Sequence, residues 1–155
     1  EKGYIGRLAN PATGSRTLSY NFVGSGAPSE GVLCEVAYFK GVDTTNPVIG
    51  SGKSYTYNAS AAAAVSSLGT AGAGDMVVGW TASFDSSATA TGNSQTAMAT
   101  PAVYRQVGLR GGYKLAANAY WSQGGDSSGF NLNLAVLLRS AAVAAKPRFY
   151  AQIIG

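Results

Sequence analysis

The stretch from Gly129 to Ser140, GFNLNLAVLLRS, constrains this chain more than any other. Phe130, Leu132, Leu134, Val136 and Leu138 fall on one side of an extended backbone, and Asn131, Asn133, Ala135, Leu137 and Arg139 fall on the other. Strict period-2 alternation marks a strand with one buried face, because successive side chains of a strand point to opposite sides. A helix would scatter the same five apolar residues around its circumference. The expectation is an all-β, antiparallel protein with this strand near its centre and its Phe130–Leu138 face turned inward.

The rest of the chain carries the same period. Residues 16–23 alternate Leu18, Tyr20 and Phe22 against Thr17, Ser19 and Asn21, and residues 4–8 read as a short edge strand. Residues 32–39 are the densest apolar run, with Val32, Cys34, Val36 and Tyr38 on one face and Leu33, Glu35, Ala37 and Phe39 on the other. Two apolar faces predict a strand covered on both sides, the second cover being available to another chain. Gly41 to Pro47 reads as a loop in which Asp43 and Asn46 cap local backbone groups. A short strand is expected over 54–58. Residues 59–67 read as extended or irregular chain, with a single helical turn as the alternative. In 75–85, Met76, Val78, Trp80, Ala82 and Phe84 are assigned inward and Val77, Gly79, Thr81 and Ser83 outward. Residues 103–109 and 113–121 read as two strands joined by a turn at Arg110-Gly111-Gly112, with Tyr113 and Trp121 on one face. Residues 149–154 form a last strand or an arm. About eight or nine strands suit two packed sheets.

Composition removes whole classes of chemistry. The 155 residues contain no His, which excludes Ser-His-Asp and Cys-His catalysis and His metal sites. One Cys, Cys34, forms no internal disulfide and reads as a small buried hydrophobe. Eleven Lys and Arg against seven Asp and Glu give +4, but the basic residues are dispersed, so no specific nucleic-acid partner is expected. No apolar run reaches ~18 residues, so no membrane span is expected.

The remaining motifs dissolve on inspection. Gly50-Ser51-Gly52-Lys53-Ser54 resembles the end of a phosphate-binding loop, yet Pro47 stands where the first Gly belongs, and the segment reads as a Gly-rich turn. Gly125-Asp126-Ser127-Ser128-Gly129 has no general base to serve it and reads as a polar turn. The seven carboxylates sit mostly in loops and at strand ends, where they bond to local backbone; Asp43 with loop carbonyls is the calcium candidate weighed against that reading. Asn58-Ala59-Ser60 fits a glycosylation triplet. Trp80 and Trp121 are assigned to the core. The chain is therefore read as not an enzyme, with no catalytic residues, cofactor or metal.

As an ordered set, the pieces resemble the jelly-roll or immunoglobulin-like β-sandwich modules of phage structural proteins and secreted bacterial proteins. The pieces are Asn10-Pro11-Ala12-Thr13-Gly14, the strand at 16–22, Gly41-Val42-Asp43 with Asn46-Pro47, and Gly74-Asp75-Met76-Val77-Val78. Thr91-Gly92-Asn93-Ser94-Gln95-Thr96, a strand ending in Trp121 and the strand at 133–140 complete it. The resemblance covers residues 4–141 and implies a two-sheet sandwich over 1–141, with 142–155 as a C-terminal tail or assembly arm. Such modules carry strands ahead of the segment at 4–8, so the N-terminal edge is expected to be incomplete, its strands removed or supplied by another chain. The implied function is a non-enzymatic virion structural protein, a capsid decoration (cement) or fibre protein of a tailed phage. It would be located in the virion and act through β-edge and apolar subunit contacts. Its partners would be further copies or the major capsid or tail protein. Phe39, Phe149, Tyr150, Ile153 and Ile154 are the candidate assembly residues. The alternatives are a carbohydrate-binding or adhesive module of a secreted bacterial protein, taking a surface glycan with exposed tyrosines such as Tyr120, and a subunit of an extracellular bacterial filament; either would be extracellular or at the cell surface.

Overall fold

The computed structural model describes residues 34–57, 64–66, 68–84, 96–98, 102–104, 107–115, 121, 130–141 and 149–152. Every regular element among them is a strand: β1 (Val36–Phe39), β2 (Val48–Tyr57), β3 (Met76–Phe84), β4 (Thr96–Ala97), β5 (Ala102–Tyr104), β6 (Val107–Leu115), β7 (Phe130–Leu138) and β8 (Phe149–Gln152). The described residues are all-β, and every pairing among them is antiparallel. One sheet runs β2-β7-β3-β6-β4, with β5 also on β6, and β1 pairs with β8 in a separate two-stranded ribbon. The strand that opened the sequence reading, β7, lies inside the large sheet between β2 and β3. The expected strands at 4–8 and 16–23 lie outside the described residues.

Period 2 is correct for β7 and β3, and Met76, Val78 and Val136 are buried on the face assigned inward, but the face assigned outward is buried as well and over more of its length. Asn131, Asn133, Ala135 and Leu137 are fully buried, whereas Leu132, Leu134 and Leu138 are only half-buried. Val77, Thr81 and Ser83 are likewise buried on the face assigned outward, and Trp80 and Ala82 on the other face are half-buried. The register joins these positions into one inner surface. Across β2, β7, β3 and β6, one row is Gly52, Ala135, Gly79 and Gly112, and the next is Ser54, Asn133, Thr81 and Arg110.

The first of those rows explains the burial of this second face. It is a floor of small residues, and Trp121 is seated on it. A Cβ on Gly79 would stand 2.3 Å from the indole carbons, and one on Gly112 would stand 2.9 Å from it. A Cβ on Gly52 would meet Val65 at 2.5 Å. Val65 and Trp121 exchange both backbone hydrogen bonds, at 2.7 and 3.0 Å, so the two segments cross the floor as a pair. With Leu68, Val77, Ala135 and Leu137 they form the inner core. Fully burying a Leu side chain contributes about 1.5–3 kcal/mol, so this cluster is a main stabiliser of the sheet. The extended reading of residues 59–67 agrees with the bridge at Val65.

The same packing corrects three local expectations. Gly50-Ser51-Gly52-Lys53-Ser54 is the middle of β2 rather than a turn, because Gly50 and Gly52 make room for Leu68 and Val65. Arg110-Gly111-Gly112 is the middle of β6, not a turn, because Gly112 lies under Trp121. Trp121 therefore belongs to the inner face, while Tyr113 packs beside the Met76, Val78 and Val136 cluster on the outer one. Cys34 is half-buried and precedes β1 instead of filling the core.

Gly79→Ala is expected to cost about 1–3 kcal/mol, as overpacking does. In urea denaturation, Trp121→Leu added to Gly79→Ala should destabilise by less than the two single losses combined.

Candidate functional site

The outer face is only partly covered, and the ribbon is what crosses it. Within β1, exposed and half-buried residues alternate. Phe39 packs on the outer core of Met76, Val78 and Val136 with Val48, Trp80, Met98, Tyr113 and Leu138. Val36 and Tyr38 point the other way and remain 40% and 45% exposed. β8 lies beside β1 with Phe149 opposite Phe39, Tyr150 opposite Tyr38 and Ala151 opposite Ala37.

The ribbon is placed by ties at the open end of the sheet. After Phe39 the chain turns at Gly41, whose φ of 74° suits a residue without a Cβ. Asp43 N–H donates to the Arg139 carbonyl at 3.0 Å, and Ala141 N–H donates to the Gly41 carbonyl at 2.8 Å. The Asp43 carboxylate accepts from Thr45 N–H at 2.7 Å and Asn46 N–H at 3.0 Å, the local capping expected of it. The Asn46 and Thr45 N–H groups, with Arg139 adding a smaller pull, hold Asp43 below the usual carboxylate range. On the other side of β7, buried Asp75 accepts from Gly72 N–H at 2.7 Å and from Ser140 N–H at 2.9 Å. The end of β7 is thus held to the turn before β3 and to the turn after β1.

At the start of the ribbon stands Glu35, a residue that sequence reasoning noted but gave no role. Its carboxylate lies over Gly111 so closely that a Cβ there would be 2.5 Å from Oε2, with Met98 alongside. Burial pushes its carboxyl above the ordinary range; the Gly111 backbone and the Trp80 side chain pull partly the other way. The indole is near enough to favour the charged form, yet neither Trp80 Nε1 nor Glu35 Oε1 completes a hydrogen bond of proper geometry.

Phe39, Phe149 and Tyr150 therefore come together in one ladder, and Ile153 and Ile154 lie outside the described residues. Tyr120, Asp126, Ser127 and the triplet at Asn58 also lie outside them. Asp43, the calcium candidate, spends one carboxylate oxygen on two backbone N–H groups. Among the described residues, no three His, Cys, Asp or Glu side chains gather as a metal site would require. No helix among them is long and apolar enough to cross a membrane. The signal that joins β1 to β8 was present in the sequence: VAYF read backwards matches FYAQ at three positions, Phe, Tyr and Ala. Comparison with protein families, with curated proteins and with solved structures finds no match to this chain.

Because the folded pKa of Glu35 is raised, the fold favours its neutral form. The stability this gives is full below the ordinary carboxylate pKa and is lost as pH rises through the raised value. Protection factors of the β1 amides, which remove the base-catalysed rise of intrinsic exchange, are expected to fall over that rise in the wild type. Glu35→Gln should flatten the dependence, and an identical profile in both chains would show that Glu35 is not the titrating group.

Proposed function

We propose that this chain is a non-enzymatic structural protein of a virion, a capsid decoration or fibre component of a tailed phage. In this reading it completes a jelly-roll or immunoglobulin-like sandwich of two sheets and works by contact with other subunits. The observation that carries the proposal is the two-sided ribbon. Phe39 anchors β1 on the sheet, while Val36 and Tyr38 stay exposed on its outer side. Two exposed apolar side chains on the same face of one short strand offer a place where an apolar contact with another chain could be built. Many copies would multiply modest contacts of this kind through avidity. The absence of His from the whole sequence supports a mechanical role over an acid–base one.

A glycan-binding module is the second reading, favoured by Tyr55. This ring is 71% exposed on the outer face, two residues from exposed Lys53. Flat exposed rings stack on sugar faces, but a single ring beside a lysine is a thin platform.

The test combines sedimentation velocity and electron microscopy of the purified full chain with and without capsid or tail particles. Wild type is expected to self-associate or decorate particles, and the Val36→Lys/Tyr38→Asp variant to lose at least ~10-fold in affinity while keeping its melting temperature within a few degrees. A wild type that stays monomeric at high concentration and ignores particles would refute the proposal. Specific retention on a glycan array, lost in Tyr55→Ala, would establish the second reading in its place.

A further inference from the structure

The inner face is divided. Its Gly52 and Leu137 end is filled by Val65, Leu68 and Trp121. Its other end carries two successive rows, Ser54, Asn133, Thr81 and Arg110, then Thr56, Asn131, Ser83 and Gly108. Seven of these eight positions are polar and the eighth is glycine. Thr81, Ser83, Asn131 and Asn133 are all at most 1% exposed.

A side-chain hydrogen bond joins β3 to β7 here, donated by the Thr81 hydroxyl to Asn133 Oδ1. It leaves other groups in need of partners. Thr56 Oγ1, Ser83 Oγ, Arg110 Nε and, above the neighbouring row, Trp121 Nε1 are shut off from solvent and make no hydrogen bond among the described residues. Buried polar groups in native proteins are almost always satisfied, and a cluster of exceptions calls for a hydrogen-bonding occupant. The groups include two N–H donors and two hydroxyls that donate and accept. Water suits such a mixed set, since it both donates and accepts. A domain of this length holds on the order of five or six internal waters, at about one per 27 residues.

We infer that the polar half of the inner face is a hydration site, a cluster of ordered internal waters bridging Thr56, Ser83, Arg110 and Trp121. The waters replace apolar packing where the floor of small residues ends. They let a sheet face of Asn, Thr and Ser lie in the interior without uncompensated polar groups. The site is independent of the assembly role proposed above.

Water–protein cross-relaxation in the full wild-type chain tests this, read at the Arg110 Nε–H and Trp121 Nε1–H signals. Both are expected to show cross-peaks of the sign given by long-lived bound water. Ser83→Ala and Thr56→Val should each lower the melting temperature by about 2–4 °C, because each removes a bridge to water. In a dry core these substitutions delete an unpaired polar atom, so an unchanged or raised melting temperature would overturn the inference. Missing water cross-peaks at both N–H groups would overturn it too, and that measurement decides the matter if a variant does not fold. Sodium phosphate or acetate that shifts the two signals saturably beyond a sodium chloride control would assign the site to an anion instead.

Discussion

The seating of Trp121 on a floor of small residues is the contact on which the rest of this structure depends. The indole can lie against β3 and β6 only because Gly79 and Gly112 present bare backbone. Its backbone pairs with Val65, and Val65 needs the space above Gly52 in β2. One row of Gly, Ala, Gly and Gly therefore fixes the height of a layer across four strands. Glycine within a strand costs roughly 0.5–1 kcal/mol in backbone entropy relative to alanine. Burial of a tryptophan and its partners exceeds that cost, since truncating such a side chain to alanine loses about 3–5 kcal/mol.

With the inner face so fixed, the outer face takes the ribbon. Met76, Val78 and Val136 make a smaller core there, and Phe39 closes it. The polar ties act at the margins of this arrangement. Asp75 holds Ser140 to the turn before β3, and the Asp43 turn holds Arg139 to the end of β1. Each carboxylate accepts two backbone N–H bonds, so each finishes a turn that the sheet ladders leave open. These bonds place the ribbon; the apolar contacts of Phe39 hold it down.

Strand existence was legible in the residues, and strand surroundings were not. Alternation in Phe130–Leu138 and Met76–Phe84 gave the elements and their period, because period 2 is a property of the backbone. Alternation does not rank the faces by depth: Met76, Val78 and Val136 are buried on one, and Val77, Ala135 and Leu137 on the other. Asn133 and Thr81 look like solvent positions until their partner across the ladder is known, since each satisfies the other. Glycine misled in a similar way. At Gly74, with φ of 87°, it marks a real turn, whereas Gly111 and Gly112 lie in extended strand beneath Glu35, Met98 and Trp121. The residue type is the same in both settings, and only the atoms brought from distant sequence tell them apart. The loop at Asp43 was readable because its hydrogen bonds run two and three residues along the chain. Glu35 acquired meaning only when β1 was laid across β6. The match between VAYF and reversed FYAQ is non-local: it is seen only by reading one segment backwards against another more than a hundred residues away.

The two parts of the fold differ in how much of their stability they carry themselves. β3 and β7 share a long ladder, each has a second long neighbour, and both faces of that pair are packed. The ribbon has four residues on each strand and is paired with no strand of the large sheet among the described residues. A two-stranded ladder by itself is marginal in water, so the ribbon relies on Phe39 beneath it. Val36 and Tyr38 meanwhile leave apolar surface in water, which further contact would bury. Segments at the low end of local stability are the ones that reorganise for binding, because moving them disturbs little else. Rearranging the ribbon would leave the contacts of Trp121 with its floor unchanged, because none of them involves β1 or β8. The division follows from packing alone: Gly52, Gly79 and Gly112 lie under the inner core, whereas Val36 and Tyr38 are on the exposed side of β1, opposite to Phe39.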